Sequence, residues 1–133
     1  MARFAFACPL RWSDMDAYGH VNNSRILTLY EEARVSLFFV GARQEGITSF
    51  EEGIVIARHE VDYLRPLDFG AQVTIDLWVA EVRPSRFTVA YELFDGDAIA
   101  SRAQSVCVPF DLAGQRPRRL SADERAFLAQ WQA

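Results

Sequence analysis

Residues 12–40 read WSDMDAYGHVNNSRILTLYEEARVSLFFV, a polar loop that turns abruptly into a long apolar helix pattern. Ile26, Leu29, Tyr30, Ala33, Leu37 and Val40 recur at three- and four-residue spacings, as on one face of a helix. Leu27, Val35, Phe38 and Phe39 widen that face beyond one stripe, so the helix is expected to be buried rather than laid on a surface. Asn23 or Ser24 suits its start, and Gly41 suits the left-handed residue after its end. About seventeen residues at 1.5 Å each predict a rod of roughly 25 Å. The loop ahead of it holds Asp14, Asp16, Gly19, His20, Asn22 and Asn23. It thus sets carboxylates beside a helix N-terminus, where free N–H groups and the dipole can hold developing negative charge.

Outward from this stretch the chain reads as strands. Residues 4–12 suit a strand that Pro9 confines to an edge or a bulge. Residues 42–53 read as loop with a helical turn. Ile54 to Leu64 is β-branched and aromatic. Val73, Ile75, Leu77 and Val79 alternate with polar or small residues, and Phe87, Val89, Tyr91 and Leu93 repeat the pattern. The short connection between those two runs, residues 82–86, predicts a hairpin, and Asp95-Gly96 predicts a turn into a last strand over about 97–110. Ser121 and Glu124 form a capping box that opens a short helix over about 121–132. One buried helix followed by about five antiparallel strands predicts an α+β fold in a single domain spanning 1–133, the sheet curled around the helix. A lone curled sheet leaves an open edge, and such edges pair across two-fold axes, so a homodimer or homotetramer is expected.

Composition removes several chemistries. The formal net charge of −4 argues against a nucleic-acid binder. All fourteen basic residues are arginine, which excludes a Schiff-base lysine, a lysine general base and a Walker-type phosphate loop. Arginine remains as the side chain able to clamp phosphates. Cys8 and Cys107 show no CxxC spacing and read as buried thiols of a reducing compartment. With no signal-peptide pattern and no apolar run near the length of a membrane span, the expected location is cytoplasmic, with no membrane partner. A GxSxG elbow, zinc-ligand spacing and a dinucleotide-binding glycine loop are all missing from the sequence, so neither a metal nor a separate cofactor is expected.

The run Asp14-Met15-Asp16-Ala17-Tyr18-Gly19-His20-Val21-Asn22-Asn23, followed by Leu29-Tyr30-Glu31-Glu32-Ala33-Arg34, resembles the 4-hydroxybenzoyl-CoA thioesterase family of hotdog-fold enzymes. Val61 to Leu67 with Gly70 resembles the same family's second strand and turn, and the similarity extends to Phe110. The resemblance implies hydrolysis of acyl-CoA thioesters, with CoA present only as part of the substrate. It places the catalytic carboxylate on Asp16, as nucleophile or general base. It places the polarising N–H on the backbone near Asn23, and the active site at a subunit interface. His20 departs from the aromatic-thioesterase prototype but is usual among GHVNN relatives.

Elementary chemistry agrees with these parts. A thioester needs an oxygen delivered to its carbonyl and a donor for the oxyanion; the leaving thiol, of pKa about 8.5, needs no strong acid. Asp14, Gly19, His20 and Asn22 read as residues that hold the pair in place, and His59 as ordinary packing. Glu31 and Arg34, three apart, suit a pair with each other. Arg65, Arg83, Arg86 and the 116–119 cluster are candidates for the CoA phosphates. Two other readings keep the fold: an acyl carrier protein as the substrate's carrier, or an acyl-binding protein without catalysis.

Overall fold

The computed structural model describes residues 2–132. Its sheet is antiparallel and runs in the order β1 (Phe4–Cys8), β3 (Val73–Arg83), β4 (Arg86–Asp95), β5 (Ala98–Asp111) and β2 (Ile54–Tyr63), with a two-residue β6 (Arg116–Pro117) on β5. The period of two does its expected work. Ile75, Leu77 and Val79 of β3 and Phe87, Val89 and Leu93 of β4 are fully buried on one face. Pro84-Ser85 makes the β3–β4 turn, and Gly96 at φ 60° opens the turn into β5. The inner residues of β5, from Ser101 through Ala103 and Ser105 to Cys107, are small, and Tyr30 and Arg34 of the helix pack into the room they leave.

Three expectations about the elements need correction. The first strand stops at Cys8, one residue before Pro9, and Trp12–Asp14 is a 3-10 turn rather than strand. The helix α1 (Asn23–Val35) is capped by Asn22, neither Asn23 nor Ser24. It does not end at Gly41 either. It runs on through a π-helical stretch, Ser36–Gly41, into α2 (Ala42–Gln44), with Gly41 in ordinary helical geometry at φ −63°. The left-handed glycine is Gly46, φ 82°, whose N–H bonds to Arg43 O while Ile47 N–H bonds to Ala42 O. That is the paired closure of a Schellman end, which needs a residue free to adopt positive φ.

Strand succession in the chain is not neighbour order in the sheet. β2 lies beyond β5, at the edge opposite β1, so residues 64–72 cross from one side of the sheet to the other before β3 begins. This one crossing separates a curled half-barrel from a plain meander, and it completes the hotdog architecture. Phe38, Phe50, Phe87 and Phe127 close one end of the core with ring centroids 5.4–6.4 Å apart. The helix α3 (Ala122–Gln130) begins at the Ser121–Glu124 capping box and tethers to β3 through the 2.8 Å bond from Val79 N–H to Trp131 O. Cys8 and Cys107 are buried free thiols. No helix among the described residues is long and apolar enough to cross a membrane.

Candidate active site

The loop before α1 is tied shut at its base. Asp14, 1 % exposed, accepts the Arg11 N–H through Oδ2 at 2.8 Å, and its carbonyl accepts the Asn22 N–H at 2.9 Å. The Arg11 guanidinium stands 3.6 Å from Oδ1, the oxygen that has no hydrogen-bond partner. Asp14 therefore faces Arg11 and organises the loop.

Above that base, Met15 pairs antiparallel with Val21, and Asp16 N–H bonds to His20 O at 2.7 Å. The chain must reverse within four residues, and Gly19 at φ 77° permits it, its N–H bonding back to Asp16 O at 3.2 Å. Asp16 Oδ1 accepts two backbone N–H bonds, from Tyr18 at 2.8 Å and His20 at 3.1 Å. These fix the carboxylate and leave Oδ2 with no protein hydrogen bond among the described residues.

At the helix start the Asn22 side chain accepts from Ser24 N–H (2.9 Å) and Ser24 Oγ (2.6 Å), while its carbonyl accepts from the Arg25 and Ile26 amides. Asn23, the first helical residue, has no intrahelical acceptor for its N–H, and none of the described groups supplies one. Its carbonyl receives the Tyr63 hydroxyl at 3.2 Å, which ties the end of β2 to the start of α1. A fixed carboxylate with one free oxygen and an unfilled helix N–H thus belong to one short segment.

His20 lies where the loop meets the 64–72 crossing. It pairs with Asp68 on the 64–72 crossing, Nε2 to Oδ1 at 3.5 Å, and Val21 N–H reaches Leu67 O at 2.8 Å. The crossing thereby buttresses the loop. Trp12, 75 % exposed, forms an apolar collar with Phe69, whose ring meets it edge-on at 5.8 Å, and Tyr18 of the same loop is 84 % exposed.

Among the arginines, Arg65 follows Tyr63 and Leu64 just past the end of β2, its N–H bonding to Ala100 O at 3.2 Å. Arg83 and Arg86 lie at the far end of β3 and β4, some 30 Å of strand from the loop at about 3.3 Å per residue, and Arg83 pairs with Glu81. Within one protomer they do not join the site.

Glu31 and Arg34 do not pair with each other. Arg34 instead donates from Nη1 to the Tyr91 hydroxyl at 2.9 Å. Tyr91 donates to Ser105 Oγ (2.8 Å), and Ser105 Oγ meets His59 Nδ1 at 2.7 Å. His59, itself exposed, is therefore the outer end of a polar chain that runs inward through Ser105 and Tyr91 to Arg34, beyond the plain packing its position in a strand implied. Burial and then the Arg34 charge hold its pKa below the ordinary value, while burial drives Tyr91 up to about 12. Tyr63, Asp68 and this chain had no sequence signal: their partners lie tens of residues away.

A curled sheet around one buried helix, with a carboxylate loop at the helix N-terminus, defines the hotdog class of thioester hydrolases. Residues 10–131 match the family model described as the thioesterase-like superfamily. The chain belongs to that superfamily and is a thioester hydrolase. It is 28 % identical over 109 residues, 80 % of each chain, to a 1,4-dihydroxy-2-naphthoyl-CoA hydrolase of Synechococcus elongatus. A predicted thioesterase from Bacillus stearothermophilus superposes with a TM-score of 0.88 at 26 % identity, covering 99 % of this chain and 98 % of that one. A Thermus thermophilus thioesterase complexed with coenzyme A and zinc superposes with a TM-score of 0.82 at 28 % identity, covering 96 % and 92 %.

Proposed function

We propose that this protein hydrolyses acyl-CoA thioesters to the free acid and CoA, with Asp16 and the Asn23 N–H as its working parts. The observation that carries the reading is the coincidence, in one loop-to-helix segment, of a free Asp16 oxygen and a free Asn23 amide. The thioester oxygen accepts the Asn23 N–H. Attack on the carbonyl carbon forms a C–O bond and moves the π pair onto that oxygen, where the helix terminus holds it. Collapse breaks the C–S bond, and the thiolate leaves and takes up a proton from water.

Asp16 Oδ2 serves either as base, removing the proton from attacking water, or as nucleophile, forming an anhydride that water then opens. Asp14 orders the loop, Asn22 caps the helix, Gly19 makes the reversal and His20 anchors the loop to Asp68. Arg65, just past the end of β2, meets a CoA phosphate in this reading. The exposed β2 edge pairs with a second copy, making a homodimer that covers the collar. Net charge of −4 disfavours an acidic carrier protein as the thioester's carrier.

A panel of acyl-CoAs and the matching acyl carrier proteins, with released thiol as the readout, tests the substrate. Turnover of acyl-CoA well above that of the carrier protein thioester is expected; the reverse order would overturn the CoA assignment. A single turnover in ¹⁸O water separates the two roles of Asp16. A base never labels Asp16 and sends the label into the product acid, whereas a nucleophile whose anhydride water opens at the Asp16 carbonyl leaves the label on Asp16.

A further inference from the structure

Arg34 is 9 % exposed, yet its side chain makes one hydrogen bond and has no carboxylate within 4 Å among the described residues. That bond uses Nη1 on the Tyr91 hydroxyl, and Tyr91 is itself held by Ser105, so the guanidinium is fixed from the sheet side. The other edge of the group, Nε and Nη2, has no protein acceptor among the described residues. Its two N–H bonds run parallel, the fork that matches both oxygens of a carboxylate. A buried guanidinium left without an anion is costly. Neither nitrogen is sealed into the protein, because the buried side-chain atoms that lack a partner are Asp14 Oδ1 and Trp131 Nε1.

Arg34 lines a cavity of about 100 Å³ between the central helix and the start of β2. Phe38 and Phe39, a turn farther along the helix, and Ile54 and Ile56 of β2 form its apolar walls, on the side of Arg34 away from Asn23. None of its lining residues belongs to the loop of Asp16 or to the first turn of α1, so it is separate from the thioester site. The cavity is thus cationic at one end and apolar beyond it. At about 30 Å³ for one water, its volume takes roughly a carboxylate with three further carbons. Glu31 also lines the cavity, but it is exposed to water and stands beyond 4 Å from the guanidinium, so it leaves that charge unanswered. Inorganic phosphate or sulfate would meet the arginine and leave the apolar walls unused. A second copy added at the β2 edge bonds that strand's backbone in the plane of the sheet, whereas the cavity lies on the sheet's inner face.

We propose that this cavity is a binding site for a short monocarboxylate, separate from the thioester site and independent of the acyl-CoA reading. Arg34 takes the carboxylate through Nε and Nη2, and Phe38, Phe39, Ile54 and Ile56 take the hydrocarbon behind it. The acid supplies the anion that the buried guanidinium lacks, and the walls exclude water from the pair.

Calorimetric titration with butyrate and with butyramide, its neutral counterpart, tests this on the wild type, Arg34→Met and Asp16→Asn, the fold of each checked by its thermal midpoint. The wild type is expected to bind butyrate with a Kd on the order of 1 mM or tighter. Butyramide should bind at least about tenfold more weakly, the margin that a charge-assisted pair supplies. Asp16→Asn is expected to bind butyrate as the wild type does, and Arg34→Met to lose at least about tenfold in affinity. Absence of butyrate binding by the wild type, equal binding of acid and amide, or undiminished binding by Arg34→Met overturns the proposal. Loss of binding in Asp16→Asn overturns it too, by moving the acid to the thioester site. If Arg34→Met does not fold, Ile54→Phe takes its place: it fills the cavity from the strand side, and unchanged butyrate affinity there overturns the proposal. No thioester is turned over in these titrations, so their outcome stands apart from that of the acyl-CoA assays.

Discussion

Asn22 joins the loop to the helix with three separate groups: its side-chain oxygen on Ser24, its carbonyl on the next turn and its N–H on Asp14. Asn22→Ala removes the first of these, and the expected loss is about 1 kcal/mol of stability, read as a shift of the urea midpoint at unchanged slope. Gly19→Ala tests the reversal. No atom lies within 4 Å of the added methyl, so the cost is that of holding an L residue at φ 77°, about 1–2 kcal/mol. Unchanged stability in Gly19→Ala would show that the loop relaxes without the turn. The residue types at this site were legible because loop-forming and charge-bearing residues crowd into ten positions. Their division of labour was not. Sequence pointed to Asn23 or Ser24 as the cap, and only backbone geometry gives the cap to Asn22 and leaves the Asn23 amide open.

The C-terminal helix shows how far an element can be read. The Ser121–Glu124 capping box was legible, because both bonds join residues three apart. Glu124 also binds the Arg118 guanidinium and the Ser49 hydroxyl, and the latter contact spans 75 residues. Burial opposes its ionisation, but the Arg118, Ser121 and Ser49 hydrogen bonds outweigh it and hold the carboxyl down to about 2. A carboxyl depressed on folding contributes stability above its unfolded pKa of about 4.3, and the contribution is lost as pH falls toward 2. Wild-type stability should thus drop between about pH 5 and pH 2 more steeply than that of Glu124→Gln, which is already weaker at pH 7. Parallel acid profiles would contradict this. The central helix was legible in its face and its burial but not in its length. The helix continues past Gly41 without a left-handed stop: a π-helical stretch reaches Gly41 and the short α2 carries the chain on to Gly46.

At the scale of the molecule, strand identity was plain from alternation, whereas neighbour order was not. Alternation marks which face of a strand is buried, and nothing in residues 64–72 states which edge the chain crosses to. That crossing leaves β2 open along one side, with Tyr63 and Leu64 half-exposed at its end. Sedimentation equilibrium is expected to give a mass of at least about twice the 15.1 kDa protomer; a monomer at micromolar concentration would contradict pairing through that edge. The proposed chemistry rests on one carboxylate oxygen and one free amide within the same loop-to-helix segment. The direct test is steady-state acyl-CoA hydrolysis by wild type and Asp16→Asn, with folding of the mutant verified by its thermal midpoint. The account predicts a fall in kcat of at least about a hundredfold for the folded mutant. Hydrolysis at the wild-type rate by Asp16→Asn would contradict it.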